Sequence, residues 1–237
     1  MQRAGNPRRT ISRATAGWNP RQLRSLLGWF DGKDASTITL APGVSEWRDK
    51  SGHDYHCTQA AGAYQPTFSA GQGVVFNGYQ VLEVSIGIAE AESFECFFVG
   101  RSNPTYAPTT FPTLLGNYWS SSLILGIEAD SEEMYSYDPY GSAYPGYGWT
   151  VNELRRGKFK IDGSLGLSVA MDADNYTYPY YTFSDSASTY FYSLGNYGGM
   201  ETWPFGTVCE IFFVAGEASA ADGQRAMNYL QNKWGVY

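Results

Sequence analysis

Four carboxylates fall within six residues in Glu128-Ala-Asp-Ser-Glu-Glu133, and Glu128, Asp130 and Glu133 have the spacing that could do chemistry. Two carboxyl groups about 5–5.5 Å apart can split a glycosidic bond, one attacking the sugar while the other protonates the leaving oxygen. A strand carrying such groups at alternate positions would aim them at one face. Against this, Ala129, Ser131 and Glu132 supply no apolar anchors between the acids, and so acidic a run reads better as a solvated hairpin tip. Glu128, Asp130 and Glu133 therefore stand as the catalytic alternative; no catalytic residue is assigned, and the expectation is a protein that is not an enzyme. His53, His56 and Cys57 are neighbours, yet their spacing fits no zinc pattern and a second ligand pair is missing. Asp172, Asp174 and Asn175 offer oxygens of the kind calcium takes, but too few of them. No metal and no cofactor are expected.

Tyr and Trp present an apolar ring with a polar tip, which suits sugar faces and protein interfaces alike. The chain holds 19 Tyr, and residues 134–149 interleave them with Gly and Pro. Tyr135, Tyr137, Tyr140, Tyr147 and Trp149 are the candidate contacts to a glycan or a partner, with packing inside the fold as the competing role. Charge is unevenly spread. Residues 1–30 contain six Arg and no acid, leaving 10 basic against 23 acidic groups beyond them, a balance of −13. A basic arm on an acidic body signals a partner. Arg3, Arg8, Arg9 and Arg13 are its candidate contacts, while the acidic body argues against nucleic acid.

The elements that position these groups are read from periodicity. Residues 1–16 lack it and read as an extended arm; 17–237 read as one sandwich domain. Asn19 and Pro20 suit a helix start, and Leu23, Leu26 and Leu27 give it an apolar stripe. Gly28–Asp31 reads as the first strand. Val44–Gln59 contains Trp47, Arg48, Asp49 and Gly52, a large ring beside alternating charges and a turn glycine, and reads as a strand end pinned by a buried Trp. Gly73–Phe76 and Val81–Val84 flank Asn77-Gly78, a hairpin signal. Phe94–Gly100 is apolar on both sides, with Phe94, Cys96 and Phe98 on one and Phe97 and Val99 on the other, as a strand between two packed layers is. Lys158–Ile161 and Leu165–Met171 flank a second hairpin signal, Asp162-Gly163. Glu210 lies among Cys209, Ile211, Phe212 and Phe213, where a carboxylate needs a partner; Arg48 is the expected one. Ser219 with Asp222 opens a last helix, whose apolar face is Met227, Leu230 and Trp234 and whose stop is Gly235. Many short strands with few helices mean an all-β sandwich or barrel. Three widely spaced cysteines are no disulfide framework. No apolar run is long enough to cross a membrane.

Trp47-Arg-Asp-Lys-Ser-Gly52, His56-Cys-Thr-Gln59, Gln65-Pro66 and Gly73-Val-Val-Phe-Asn-Gly78 resemble the opening of concanavalin A-like (laminin-G-like) jelly-roll domains of phage and bacterial surface proteins. Gly206–Val214 followed by Tyr229-Leu-Gln-Asn-Lys-Trp-Gly235 resembles their close. The Glu-x-Asp-x-x-Glu spacing at Glu128 is similar to laminarinase-type glycoside hydrolases of the same fold. The resemblance implies a jelly-roll sandwich of two antiparallel sheets with a short N-terminal and a C-terminal helix, in which Trp47, Arg48, Asp49, Gly52, Glu210 and Trp234 are structural. It also implies a non-catalytic virion protein: a head decoration, head-fibre or tail-fibre component, made in the host cytoplasm without a signal peptide. Such a protein would be a homo-oligomer docked on capsid or tail proteins through its arm. The alternative is a carbohydrate-binding module or adhesin that takes cell-surface glycans.

Overall fold

A computed structural model describes residues 17–88, 94–102, 113–116, 124–128, 133–138, 141–143, 155–162, 166–171, 174–178, 189–196 and 205–236. In chain order the strands are β1 (Leu26–Asp31), β2 (Ile38–Leu40), β3 (Val44–Trp47), β4 (Cys57–Thr58), β5 (Thr67–Ser69), β6 (Gly73–Val75), β7 (Leu82–Ile88), β8 (Phe94–Ser102) and β9 (Thr113–Gly116). They continue with β10 (Ile124–Glu128), β11 (Glu133–Asp138), β12 (Gly141–Ala143), β13 (Arg155–Asp162), β14 (Gly166–Met171), β15 (Asp174–Tyr178), β16 (Thr189–Leu194) and β17 (Gly206–Ala215). One α-helix, α1 (Ala220–Trp234), follows.

Among the described residues the strands form two antiparallel sheets. The first runs β15-β14-β13-β8-β17-β6-β5, with β1 also paired to β17; the second runs β12-β11-β10-β9-β16-β7-β4-β3-β2. Between the sheets lies a core in which Phe30, Phe94, Cys96, Phe98, Ile211 and Phe213 meet Trp47, Leu82, Ile86, Leu114 and Leu194. A second apolar layer fills the other face of the first sheet, where Phe97, Val99, Phe212 and Val214 meet Met227, Leu230 and Trp234 of α1. The alternation along β8 thus divides its side chains between two cores, as its sequence predicts. The helix begins and ends as expected: Ser219 Oγ accepts from Asp222 N at 3.1 Å, and Gly235 caps the far end in the left-handed region at φ 69°.

Two expectations about local structure are corrected. Asn19 and Pro20 start only one 3₁₀ turn, Pro20–Gln22, and Leu26 and Leu27 already belong to β1. Ladder pairing of Leu26 with Val214 and of Gly28 to Asp31 with β17 outweighs the weak helical stripe. Asn77-Gly78 is a turn, with Gln80 N donating to Asn77 O at 3.2 Å, but not a hairpin. β6 pairs with β5 and β17 in one sheet while β7 pairs with β4 and β16 in the other. Val74 and Phe76 before the turn and Leu82 and Val84 after it all enter the inter-sheet core, so the chain arches across it. The Asp162-Gly163 signal does join an antiparallel pair, Asp162 opposite Gly166.

Candidate functional site

The densest polar cluster among the described residues lies where β1, β17, α1 and the loop after β3 converge. Glu210 is fully buried. Its Oε1 accepts from Trp29 Nε1 and from Tyr229 Oη, both at 2.8 Å. Its Oε2 accepts from Trp234 Nε1 at 2.6 Å and sits 2.8 Å from Lys233 Nζ. Arg48 is not the partner: it follows β3, its side chain half exposed, donating to Ser36 O and 3.9 Å from Glu46. Four donors on an acceptor-only carboxylate leave no lone pair for a substrate, so Glu210 is a structural knot.

Lys233 extends this knot to Asp31 Oδ1 at 2.6 Å; Lys50 then joins Asp31 Oδ2 at 2.8 Å to Asp34 Oδ2 at 2.7 Å and lies over the Trp29 ring at 4.5 Å. Burial pushes the Asp31 carboxyl up, but the ammonium groups of Lys233 and Lys50 outweigh it and hold it below the usual carboxylate range. The Lys50 bond likewise holds Asp34 down to about 2. Burial works against the charge of Lys50, and Asp31 and Asp34 overcome it, raising its pKa. Tyr229 is driven up by burial and then by the Glu210 charge.

The remaining motif residues serve the same frame. Asp49 Oδ1 accepts from Trp29 N at 2.8 Å and Ser51 N at 2.7 Å, while Oδ2 accepts from Ser51 Oγ at 2.6 Å and Tyr55 N at 3.3 Å. Gly52 turns at φ 103°. His56 Nδ1 accepts from Asp49 N at 3.2 Å, and His53 stacks on Tyr55. Trp47 is fully buried against Phe30, but its indole N–H has no hydrogen-bond partner among the described residues. Among those residues no three His, Cys, Asp or Glu side chains converge as metal ligands.

The acidic run does not sit on one strand. Glu128 ends β10 and Glu133 starts β11, directly opposite each other across the hairpin. Asp130 lies outside the described residues. Tyr135 and Tyr137 occupy alternate positions of β11, opposite Gly126 and Ile124. Tyr140, Tyr147, Trp149, Arg3, Arg8, Arg9 and Arg13 lie outside the described residues, as do Asp172 and the turn before Asp174.

Beside the knot, on the helix side of the first sheet, is a pocket of about 130 Å³ lined by Lys33, Gln72, Arg101, Thr207, Cys209 and Trp234. A β-bulge makes it. Val208 pairs with Gly100 and Glu210 with Val99, leaving Cys209 as the extra residue. The extra residue puts Thr207 in step with the helix-facing positions, beside its pair partner Arg101. Gly32 and Gly73 allow the neighbouring segments to close on the bulge. Gly32 N donates to Cys209 O at 2.8 Å, and a Cβ on Gly73 would lie 2.3 Å from Val208 O. That approach sets Lys33 and Gln72 at the pocket's rim. Sequence reading missed this site because its members come from five distant segments; the one trace of it is the glycine at each approach. It also missed Tyr64 and Tyr79, large rings left 42% and 51% exposed on segments joined by Val81 N donating to Tyr64 O at 3.0 Å.

The fold defines an all-β sandwich with a helix packed on one sheet. No protein-family model and no curated protein sequence matches the chain. In fold it is similar to Trypanosoma rangeli sialidase, with a TM-score of 0.63 and 14% identity over 89% of this chain and 33% of that one. It is similar to domain 4 of AbnA, a GH43 extracellular arabinanase from Geobacillus stearothermophilus in complex with arabinotriose, with a TM-score of 0.53 and 10% identity over 86% of this chain and 97% of that one. A third likeness is to botulinum neurotoxin type C, whose cell entry depends on interaction with two ganglioside molecules, with a TM-score of 0.55 and 12% identity over 90% and 52%. The expectation that the chain is not an enzyme is corrected by these comparisons, since a sialidase is among the proteins that share its fold. The chain spans a third of that enzyme's length, and at such identity the fold is what is shared.

Proposed function

We propose that the chain is a glycan-binding, lectin-like sandwich of the concanavalin A-like jelly-roll kind. One observation carries the reading: domain 4 of the arabinanase, of which 97% is covered by this chain, is in complex with arabinotriose. The exposed Tyr64 and Tyr79 rings and the polar pocket beside Trp234 offer the surfaces such a ligand uses. Support for the jelly-roll assignment comes from the two sets of end motifs, which meet: the Trp47–Gly52 loop ties to β1, β1 ties to Glu210, and Trp234 donates to the same Glu210.

The test is calorimetric titration of the full chain with arabinotriose and with the oligosaccharide of a ganglioside, and the same incubations assayed for released sugar. Saturable heat with either sugar supports the reading, and sugar release would add turnover to binding. No heat with either at millimolar concentration refutes it.

The virion role is the second proposal, favoured by the six Arg of residues 1–30 against an acidic remainder. On this reading the arm docks the sandwich on a particle and other copies surround it. Deleting residues 1–16 should abolish incorporation into particles while leaving the thermal transition unchanged; normal incorporation refutes it.

A further inference from the structure

We infer that the pocket at the Cys209 bulge is a subsite for a sugar carboxylate. The inference rests on the glycan-binding reading and names the class of glycan. The side chains at its wall carry two cations, Lys33 and Arg101, and no carboxylate, on a protein of net charge −7. Arg101 is exposed and has no ion-pair partner among the described residues, although its guanidinium is the fork that grips a carboxylate in two parallel bonds. Every other described cation near it is engaged. Lys233 and Lys50 are bonded within the knot. Lys33 donates to Lys233 O, which offsets the negative end of α1, and its ammonium is held 4.4 Å above the Trp234 ring. It keeps two N–H bonds to offer from that fixed position.

The rest of the wall suits a sugar rather than a bare ion. Gln72 can donate and accept, Thr207 brings a hydroxyl, and Trp234 and the buried Cys209 thiol close the apolar side. Burial pushes that thiol up to about 12, despite the opposing pull of Arg101, so it adds no competing negative charge at neutral pH. At about 130 Å³ the space is well below the roughly 300–1,000 Å³ of a drug-sized site. It therefore takes the carboxylate and ring edge of one acidic residue at the end of a glycan, not a length of chain.

The experiment titrates the full chain with N-acetylneuraminic acid, galacturonic acid, galactose and sodium sulfate, in the parent and in Arg101→Gln. The parent should bind one or both acids about tenfold or more tighter than galactose, with affinity falling as salt rises, and Arg101→Gln should erase that preference. An unchanged thermal transition in Arg101→Gln, whose side chain makes no described contact in the frame, shows that the loss is local. Equal binding of acid and neutral sugars, a preference that survives Arg101→Gln, or sulfate bound as tightly as the acids overturns the inference. Galactose bound by the parent as tightly as either acid would overturn it while the glycan-binding reading stands. Silence from every sugar would remove both.

Discussion

Replacing Glu210 by Gln keeps the shape of the side chain and exchanges one acceptor oxygen for a donor. The four groups around Glu210 are Trp29 Nε1 and Tyr229 Oη on one oxygen and Trp234 Nε1 and Lys233 Nζ on the other. Whichever way the amide turns, its NH₂ faces one indole N–H that has nowhere else to donate. Tyr229 can rotate its hydroxyl to accept, and Lys233 keeps Asp31 at 2.6 Å, so these two adapt. One buried indole donor is orphaned, at a cost of about 1–3 kcal/mol, and the surviving bonds lose their charged acceptor, at about 1 kcal/mol each. The sum is about 3–5 kcal/mol, the range found when a buried pair loses one member. For a chain of this size that lowers Tm by roughly 6–20 °C, readable by scanning calorimetry or far-ultraviolet dichroism. Arg48→Ala is the companion variant. Its side chain is 51% exposed and pairs loosely, so the change should cost no more than about 1 kcal/mol. A Glu210→Gln shift smaller than about 3 °C, or an Arg48→Ala loss equal to it, would refute the assignment of the knot.

Four further outcomes are expected. Asp31 lies below its ordinary value of 3.8 and Asp34 at about 2; a depressed carboxyl stabilises the fold above its unfolded pKa, so Tm should fall between about pH 4 and pH 2, and Asp34→Asn should flatten part of that fall. Lys50 lies above 10.5, so its contribution persists to that pH and is lost only beyond it. Cys57, Cys96 and Cys209 are buried with raised thiol pKa values, so the native protein should leave a disulfide reagent unconsumed at pH 8 and react at all three thiols once unfolded; rapid native reaction would contradict the packing at the bulge. Gly73→Ala brings a Cβ within 2.3 Å of Val208 O at a φ of 121° and should cost about 2–4 kcal/mol in a urea titration. Gly71→Ala, with φ 77° and open space around it, should cost only the backbone strain of about 1–2 kcal/mol; equal losses would argue against the close approach.

The division of labour along β8 and the caps of α1 were readable because each depends on residues a few positions apart. Phe94 to Val99 alternate, Ser219 meets Asp222, and Gly235 follows the last turn. The partners of Glu210 were not readable, because Trp29 reaches it only once β1 has paired with β17. Local signals pointed instead to Arg48, the guanidinium in the Trp47–Gly52 motif. The Asn77-Gly78 turn was located correctly and its consequence mistaken, since a turn dipeptide does not say whether the flanking strands pair or part. The pocket depends on a bulge, and a single unpaired residue leaves an apolar run such as Val208 to Val214 looking regular.

The bond from Trp29 to Glu210 joins residues 181 positions apart. At ordinary ribosomal speeds about 10–40 s separate the synthesis of the two. Through that interval β1 exists without the strand it pairs with, carrying Leu26, Trp29 and Phe30 on an open edge. Lys50 and Asp31 can already meet, but Lys233 and the helix that covers Trp29 have not emerged. The nascent chain therefore passes through a long stage in which its first strand is a target for chaperones and for other nascent copies, and closure waits on β17 and α1. Slowing translation before β17 should lower the soluble yield, whereas slowing it after α1 should not.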